Sequence, residues 1–133
     1  MMRQDADGRG PLKILALMPY AYDAAPGQRY RIEQWARAFA AEDVRIDYLP
    51  FESARLREII YQPGHFAEKA QEAARGVLKR VRDLSAANLD ADLVYIYREA
   101  LPVGPAILER VIAYRRVPIV YDFDDAIFLP IVS

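Results

Sequence analysis

The sequence contains no cysteine and only one histidine, and its positive and negative charges nearly cancel. Without cysteine the chain can form no disulfide, no thiolate metal site and no cysteine nucleophile. His65 lies in a Pro-Gly loop with no nucleophile near it in the sequence, so it does not indicate catalysis. A net charge of -1 lacks the basic excess of a dedicated nucleic-acid binder, so we expect no nucleic-acid partner.

Long apolar runs are also missing. No stretch is long enough to span a bilayer, and the polar first residues, MMRQDADGRG, lack the apolar core of a signal peptide. We therefore expect residues 1–11 to be a disordered lead-in and the protein to be cytoplasmic. The chain does contain 53% hydrophobic residues in 133 positions, which is enough to build the core of one domain, expected at 12–133.

Short apolar runs alternate with helical patterns along this domain. The runs LKILALMP, VRIDYLPF, DLVYIYRE and PIVYDFDD predict buried strands at 12–19, 44–51, 92–99 and 118–125. The intervening segments predict helices at 28–42, 66–84 and 105–116, and a less clear helix within 53–62. This alternation predicts an α/β fold, a Rossmann-like parallel sheet of about four strands with helices on both faces.

Two helical segments carry apolar residues at helical spacing. In the first, Trp35 and Phe39 are predicted to lie in the core. In the second, the pattern predicts an amphipathic surface helix, whose apolar stripe comprises Phe66, Ala70, Ala74, Val77, Val81 and Leu84. We interpret its basic residues as a solvated face, and a peripheral contact with a membrane surface remains an alternative.

A ligand crevice is expected at the carboxyl ends of the strands, where the strand order of a parallel sheet reverses. In the 3-2-1-4 order of common nucleotide-binding halves, the first and fourth strands lie side by side. The loops that follow them, residues 19–28 and 122–126, would then line one crevice.

Three aspartates, Asp122, Asp124 and Asp125, follow the fourth strand. Side chains alternate along a strand, so Asp122 and Asp124 share a face. Two carboxylates ~7 Å apart repel by roughly 2 kcal/mol at an effective dielectric of ~20. Such a pair needs a cation, a raised pKa or hydrogen-bond donors. We interpret Asp122 as functional and Asp125 as a turn or cap residue. For Asp124 the sequence favours neither a functional role nor a turn or cap role.

Arginine suits these carboxylates, because its planar fork can form two hydrogen bonds with one carboxylate or phosphate. Gln28, Arg29 and Arg31 open the first helix, and Arg98 ends the third strand. Arg29 is equally consistent with a functional and a surface role. Arg31 is interpreted as an ordinary surface charge.

The segments KILALMPY, PGQRYRIEQW, DLVYIYRE and VYDFDDAIF, taken in this order, resemble the amino-terminal half of bacterial group 1 glycosyltransferases. These are retaining enzymes of the two-domain GT-B type. Many members have a Pro-(Ser/Gly)-Gln-Arg-(Phe/Tyr)-Arg segment before a helix with Gln-Trp, an Arg-Glu after a middle strand, and a Tyr-Asp-(Phe/Ile)-Asp-Asp segment. The resemblance covers nearly all of residues 12–130.

The resemblance implies transfer of a sugar from a nucleotide-sugar donor to a saccharide or lipid-linked acceptor. The amino-terminal domain of such enzymes mainly holds the acceptor, and no catalytic metal or other cofactor is implied. The motif residues implied to face the cleft and bind substrate are Gln28, Arg29, Arg98, Glu99, Asp122, Asp124 and Asp125.

The donor-binding, carboxyl-terminal domain of that family has no counterpart in this sequence. Only AIFLPIVS follows Asp125, an apolar segment with no helix after it to cover it. We therefore expect the sequence to be the amino-terminal part of a longer enzyme or a truncated gene product. By itself it is expected to be inactive as a transferase.

Two rival functions remain open. DFDDAIF resembles the first motif of haloacid-dehalogenase-like phosphatases, which implies Asp122 as nucleophile and Asp124 as acid/base with magnesium, although Ala126 replaces the usual threonine. Alternatively the chain is a non-catalytic α/β interaction module that binds another chain through residues 126–133.

Overall fold

The computed structural model describes residues 10–85, 89–98, 100 and 107–123. In these residues every strand pairing is parallel and helices separate the strands, which confirms the predicted Rossmann-like α/β class. The elements are, in order, β1 (Leu12–Met18), α1 (Pro26–Arg31), a 3₁₀ turn (Glu33–Trp35), α2 (Ala36–Ala41), β2 (Val44–Pro50), α3 (Ala54–Ile59), α4 (Phe66–Asp83), β3 (Leu93–Tyr97), α5 (Ile107–Tyr114) and β4 (Ile119–Asp122).

The strand order is β2-β1-β3-β4. The first and fourth strands are therefore not neighbours, and the expected 3-2-1-4 order is wrong. The reason lies in the third strand, because Val94 to Tyr97 are buried on both faces and suit a central position, whereas Val120 and Tyr121 of β4 are exposed. The order reverses between β1 and β3, so the crevice of a parallel sheet belongs there.

Apolar side chains fill both faces of the sheet, because successive residues of a strand point to opposite sides. On one face Leu17 and Ile96 pack against Leu84, Leu108 and Ile112, which come from the end of α4 and from α5. On the other face a second cluster joins the strands to the segment that contains α1 and α2, with Ala16, Met18, Tyr95, Ile32 and Phe39 among its members. Helices thus cover both faces, as predicted.

The single helix predicted over 28–42 is broken at Ile32, whose backbone leaves the helical region (φ -133°, ψ -40°). The break lets Ile32 enter the core while Trp35 turns outward and donates from its indole to the carbonyl of Tyr30 (3.2 Å). Trp35 is half exposed, so its predicted core position is wrong, whereas Phe39 packs against the core as predicted.

The less clear helix within 53–62 is α3, and Ser53 caps it by accepting a hydrogen bond from the backbone of Leu56 (3.0 Å). The same hydroxyl donates to Glu72 of α4 (2.9 Å). Farther along α4, a Cβ at Gly76 would lie 2.9 Å from ring carbons of Phe51, so glycine lets the helix approach the segment that follows β2. These contacts bring α4 against the carboxyl end of β2.

The apolar stripe predicted for α4 is not the face that it buries. Val77 and Leu84 turn toward the protein, but Phe66, Ala70, Ala74 and Val81 are exposed. The helix instead turns inward a mixed face that includes Glu72, Ala73, Gly76 and Arg80. Specific polar contacts made by this mixed face, rather than apolar burial alone, therefore set the rotation of the helix.

Arg80 makes the deepest of these contacts. Its guanidinium is almost fully buried and donates to the carbonyls of Leu49 (2.6 Å) and Met18 (3.0 Å), at the ends of β2 and β1. Burial lowers the pKa of Arg80 to about 10, which still leaves the side chain charged at neutral pH. The arginine therefore ties α4 to two strands through their terminal carbonyls.

Replacing Arg80 by alanine is expected to destabilise the protein by about 2–4 kcal/mol, because two strand-end carbonyls lose a charged donor and a buried side chain leaves a cavity. Urea unfolding at neutral pH measures the change. The exposed neighbour Lys79 provides the control, and Lys79→Ala should change the free energy of unfolding by less than about 0.5 kcal/mol. Equal effects of the two substitutions would contradict the anchoring role of Arg80.

Candidate functional site

The sequence-predicted residues that the structure describes lie at the carboxyl edge of the sheet. Gln28, Arg29 and Arg31 belong to α1, Arg98 follows β3, and Asp122 ends β4. Glu99, Asp124 and Asp125 were also predicted to face the cleft, but they lie outside the described residues. The site can therefore be built from the loop after β1, from α1 and from the ends of β3 and β4.

Gln28 shapes the loop between β1 and α1 from within. Its side chain is fully buried, and its amide nitrogen donates to the carbonyls of Tyr20 (3.1 Å) and Ala21 (3.2 Å) and to Glu33 (2.8 Å). Its amide oxygen accepts from the backbone of Tyr20 (3.3 Å). Gln28 was expected to face the cleft, but these bonds satisfy its polar atoms inside the loop, so it holds the loop in place.

Glu33 and Arg29 complete the loop. The buried carboxylate of Glu33 accepts from the backbone of Asp23 through both oxygens (3.0 Å each). Asp23 adopts a left-handed conformation (φ 62°), and Arg29 pairs with its carboxylate (2.6 Å) and its carbonyl (3.1 Å). Arg29 therefore acts on the outer side of the loop, where its exposed ion pair contributes little free energy.

Asp122 is the carboxylate on which α1, β3 and β4 converge. Arg31 donates to its Oδ1 (3.1 Å), and the hydroxyl of Tyr95 donates to its Oδ2 (2.6 Å). Asp122 is largely covered, whereas Arg31 is about half exposed. The ion pair therefore presents one charged group to solvent at the edge of the sheet and keeps the carboxylate oriented beneath it.

Tyr95 is a fixed donor in this cluster. Burial, and next the hydrogen bond to Asp122, raise the pKa of Tyr95 far above its ordinary value of 10. The phenol therefore stays protonated throughout the physiological range and donates to the carboxylate at every pH in that range. This bond sets which oxygen of Asp122 is directed toward Arg31.

Arg98 lies at the end of β3, next to the point where the strand order reverses. Its backbone takes a left-handed conformation (φ 66°), its N–H donates to the carbonyl of Asp122 (2.8 Å), and its carbonyl accepts from the hydroxyl of Tyr121. Its guanidinium donates to the hydroxyl of Tyr20 in the loop after β1 (3.3 Å). Arg98 thus joins the two strand ends that border the reversal point.

Charge and shape define what this edge can bind. Arg31 and Arg98 supply fork-shaped donors, and Asp122, Tyr20 and Tyr95 supply oxygens, a combination that suits hydroxyl-rich or phosphorylated ligands. Two open grooves, of about 410 and 690 Å³, follow the edge strand β2, and residues such as Ile46 and Tyr48 line both. Neither groove is lined by Arg31, Arg98 or Asp122, and we refer to the polar cluster at the carboxyl edge as the polar ledge.

Sequence reasoning assigned too little weight to two residues of this cluster. Arg31 was interpreted as a surface charge, yet it is the α1 residue that contacts Asp122. Tyr95 was treated only as a strand residue. One signal was available, because Tyr95 and Tyr97 alternate on one face of a strand that is otherwise aliphatic, and buried tyrosine hydroxyls usually need a partner.

The described part of the chain contains neither a candidate metal-binding group nor a membrane-spanning helix. No group of three or more histidine, cysteine or acidic residues there could hold a metal ion. In the same residues, no helix combines the length and the apolar character needed to cross a membrane.

Comparison of the chain with protein-family models, with curated proteins and with solved structures finds no significant match. The class of the protein is therefore defined by its fold and by the geometry of its polar ledge. It is an α/β protein of Rossmann-like type with an arginine–aspartate–tyrosine cluster at the carboxyl edge of its sheet.

Replacing Tyr95 by phenylalanine is expected to destabilise the protein by about 1–2 kcal/mol at pH 7, because Asp122 loses a buried donor. The folded-state pKa of Tyr95 is raised, so its contribution is complete below the unfolded value of about 10 and falls as the pH rises above it. Urea unfolding at pH 7 and about pH 10.5 should therefore show a smaller difference between the two proteins at the higher pH.

Tyr114→Phe is the matched control, because the side chain of Tyr114 is largely exposed on α5. This variant should follow the wild type at both pH values. A Tyr95→Phe variant as stable as the wild type at pH 7 would show that the hydroxyl does not stabilise the cluster.

Proposed function

We propose that this chain is the acceptor-binding half of a glycosyltransferase that transfers a sugar from a nucleotide-sugar donor to a saccharide or lipid-linked acceptor. The carboxyl-edge ledge formed by Arg31, Arg98 and Asp122 is the acceptor site in this proposal. Donor binding is assigned to a second domain beyond this sequence. The proposed location is the cytoplasm, at the inner membrane face where the acceptor is lipid-linked.

One observation carries the proposal. All four segments that resemble group 1 glycosyltransferases meet at the same edge of the sheet, although 91 positions separate Arg31 from Asp122. Arg31 of PGQRYR contacts Asp122 of VYDFDD, and Arg98 of VYIYRE donates to Tyr20, the residue that ends KILALMPY. A parallel sheet brings its strand ends to one edge in any case, so the support for a common ligand site comes from the side-chain contacts that join these segments there.

The proposed chemistry follows from the polarity of the ledge. A carboxylate such as Asp122 accepts hydrogen bonds from sugar hydroxyls, and guanidinium groups bind phosphate through two parallel bonds. Because Tyr95 and Arg31 already orient Asp122, little side-chain freedom is lost when an acceptor binds. In this proposal, Asp122 positions an acceptor hydroxyl and the two arginines hold its phosphate.

The phosphatase alternative requires Asp122 to attack phosphorus with one oxygen. Both of its oxygens accept hydrogen bonds, from Arg31 and from Tyr95, and this arrangement favours a binding role over a nucleophilic one. Asp124, which that mechanism uses as acid/base, lies outside the described residues.

Glucose, N-acetylglucosamine and their 1-phosphates are suitable probes, because they represent a saccharide acceptor and the phosphorylated end of a lipid-linked one. Titration of the isotope-labelled protein, followed by NMR, should shift the amide signals of Arg31, Arg98 and Asp122. Asp122→Asn should weaken binding by about tenfold or more, because a charge-assisted hydrogen bond is lost.

Asp47→Asn is the matched control. Asp47 also pairs with an arginine, Arg45 (3.1 Å), but on β2 and away from the ledge. Loss of binding in both variants would indicate a general charge effect, and no binding of any of the four sugars would contradict the acceptor site. Magnesium-dependent hydrolysis of a sugar phosphate that Asp122→Asn abolishes would support the phosphatase alternative instead.

The two-domain part of the proposal is tested on the protein that its host makes. An intact mass of ~40 kDa, as expected for two domains of typical length, together with sugar transfer from a nucleotide sugar, would agree with it. A mass near 15.2 kDa would favour a binding module.

A further inference from the structure

The exposed surface of α4 carries a stripe of apolar side chains that no other part of the described structure covers. Phe66, Leu78 and Val81 are 80%, 70% and 49% exposed. Ala67, Ala70 and Ala74 are exposed as well. At about 100° per residue these six positions fall within one sector of about 120°. The helix therefore presents a continuous apolar strip to its surroundings over most of its length.

Basic residues border this strip along one side. Arg75, Lys79 and Arg82 are exposed and occupy the next sector of the helix. The helix holds five basic and three acidic residues, and each of the acidic residues, Glu68, Glu72 and Asp83, is less exposed than these cations. Glu68 pairs with Arg55 of α3, and Glu72 pairs with Arg75 on α4 itself (2.7 Å), so both acidic residues are already engaged within the protein and Arg75 is partly neutralised. The outward surface of α4 is thus apolar and cationic.

We infer that the exposed face of α4 binds to an anionic membrane surface. A helix with low overall hydrophobicity, aromatic and aliphatic residues on one face and lysine or arginine beside them lies in the plane of the lipid headgroups. The apolar strip would enter the boundary between headgroups and acyl chains. The three cations would meet lipid phosphates, and they provide the charge complementarity that favours a bilayer over an uncharged partner.

The position of α4 in the fold agrees with this orientation. Arg80 donates to carbonyls at the carboxyl ends of β1 and β2, and Leu84 packs against one face of the sheet. Earlier in the helix, Glu72 and Gly76 contact Ser53 and Phe51, which follow β2. The proposed membrane face and the polar ledge therefore lie at the same end of the molecule. The inference rests on α4 alone and does not require the proposed transferase function.

The test is co-sedimentation of the 133-residue chain with vesicles of phosphatidylcholine that contain about one third phosphatidylglycerol, compared with pure phosphatidylcholine. Binding is expected to the mixed vesicles and to be much weaker to the neutral ones. Leu78→Gln with Val81→Gln should weaken binding about tenfold or more, because two apolar side chains no longer leave water. Lys79→Glu should weaken it by about fivefold or more.

Two matched controls lie on other surfaces. Tyr114→Gln changes an exposed aromatic residue of α5, and Arg37→Glu reverses a charge on α2, on the opposite face of the sheet. Both should bind as the wild type does, and circular dichroism checks that every variant folds. Failure of the wild type to bind the mixed vesicles, or equal loss in the controls, would overturn the inference.

Sedimentation equilibrium without vesicles tests the alternative that the exposed face of α4 binds a second copy of the chain. A wild-type dimer that Leu78→Gln with Val81→Gln converts to a monomer would overturn the membrane assignment. A monomeric wild type that binds anionic vesicles would support it. Neither result depends on sugar binding at the ledge, so this proposal and the transferase proposal fail independently.

Discussion

The hydrogen bonds that Asp122 accepts from Arg31 and Tyr95 hold the carboxyl edge of this sheet together. They connect α1, β3 and β4, which are far apart in sequence. The carboxylate of Asp122 is largely covered from solvent, so its oxygens need hydrogen-bond donors from the protein. The cluster therefore stabilises the edge and at the same time orients a charged group toward any ligand that reaches the ledge.

Buried polar groups have a similar role elsewhere in the structure. Gln28 and Glu33 hold the loop after β1 through its backbone, and Arg80 holds the ends of β1 and β2. Each uses hydrogen bonds to main-chain groups that regular secondary structure leaves without partners at strand ends and turns. The carboxyl edge is thus built by polar side chains reaching inward, whereas the centre of the sheet is built by aliphatic packing.

The helix α4 shows how such polar contacts compete with apolar burial. The sequence predicted that its apolar stripe is buried, yet only Val77 and Leu84 of that stripe turn inward. The contacts of Arg80, Glu72 and Gly76 place a mixed face against the protein and leave the rest of the stripe exposed. Exposed apolar surface of this extent usually marks an interaction site. The mixed face of α4 packs against the rest of the domain, and the exposed apolar face can then bind a membrane surface as proposed.

The sequence by itself determined the α/β class, the four strands and the approximate positions of most helices, because strand runs and helix periods are local patterns. It also identified Asp122 and Arg98 as residues at strand ends. Only the tertiary structure decided that β3 lies between β1 and β4, that Arg31 rather than Arg29 contacts Asp122, and that Gln28 is buried. It also decided that α4 leaves most of its apolar stripe exposed. These outcomes depend on which distant residues meet, and hydrogen bonds between segments separated by up to 91 positions carry no local sequence pattern.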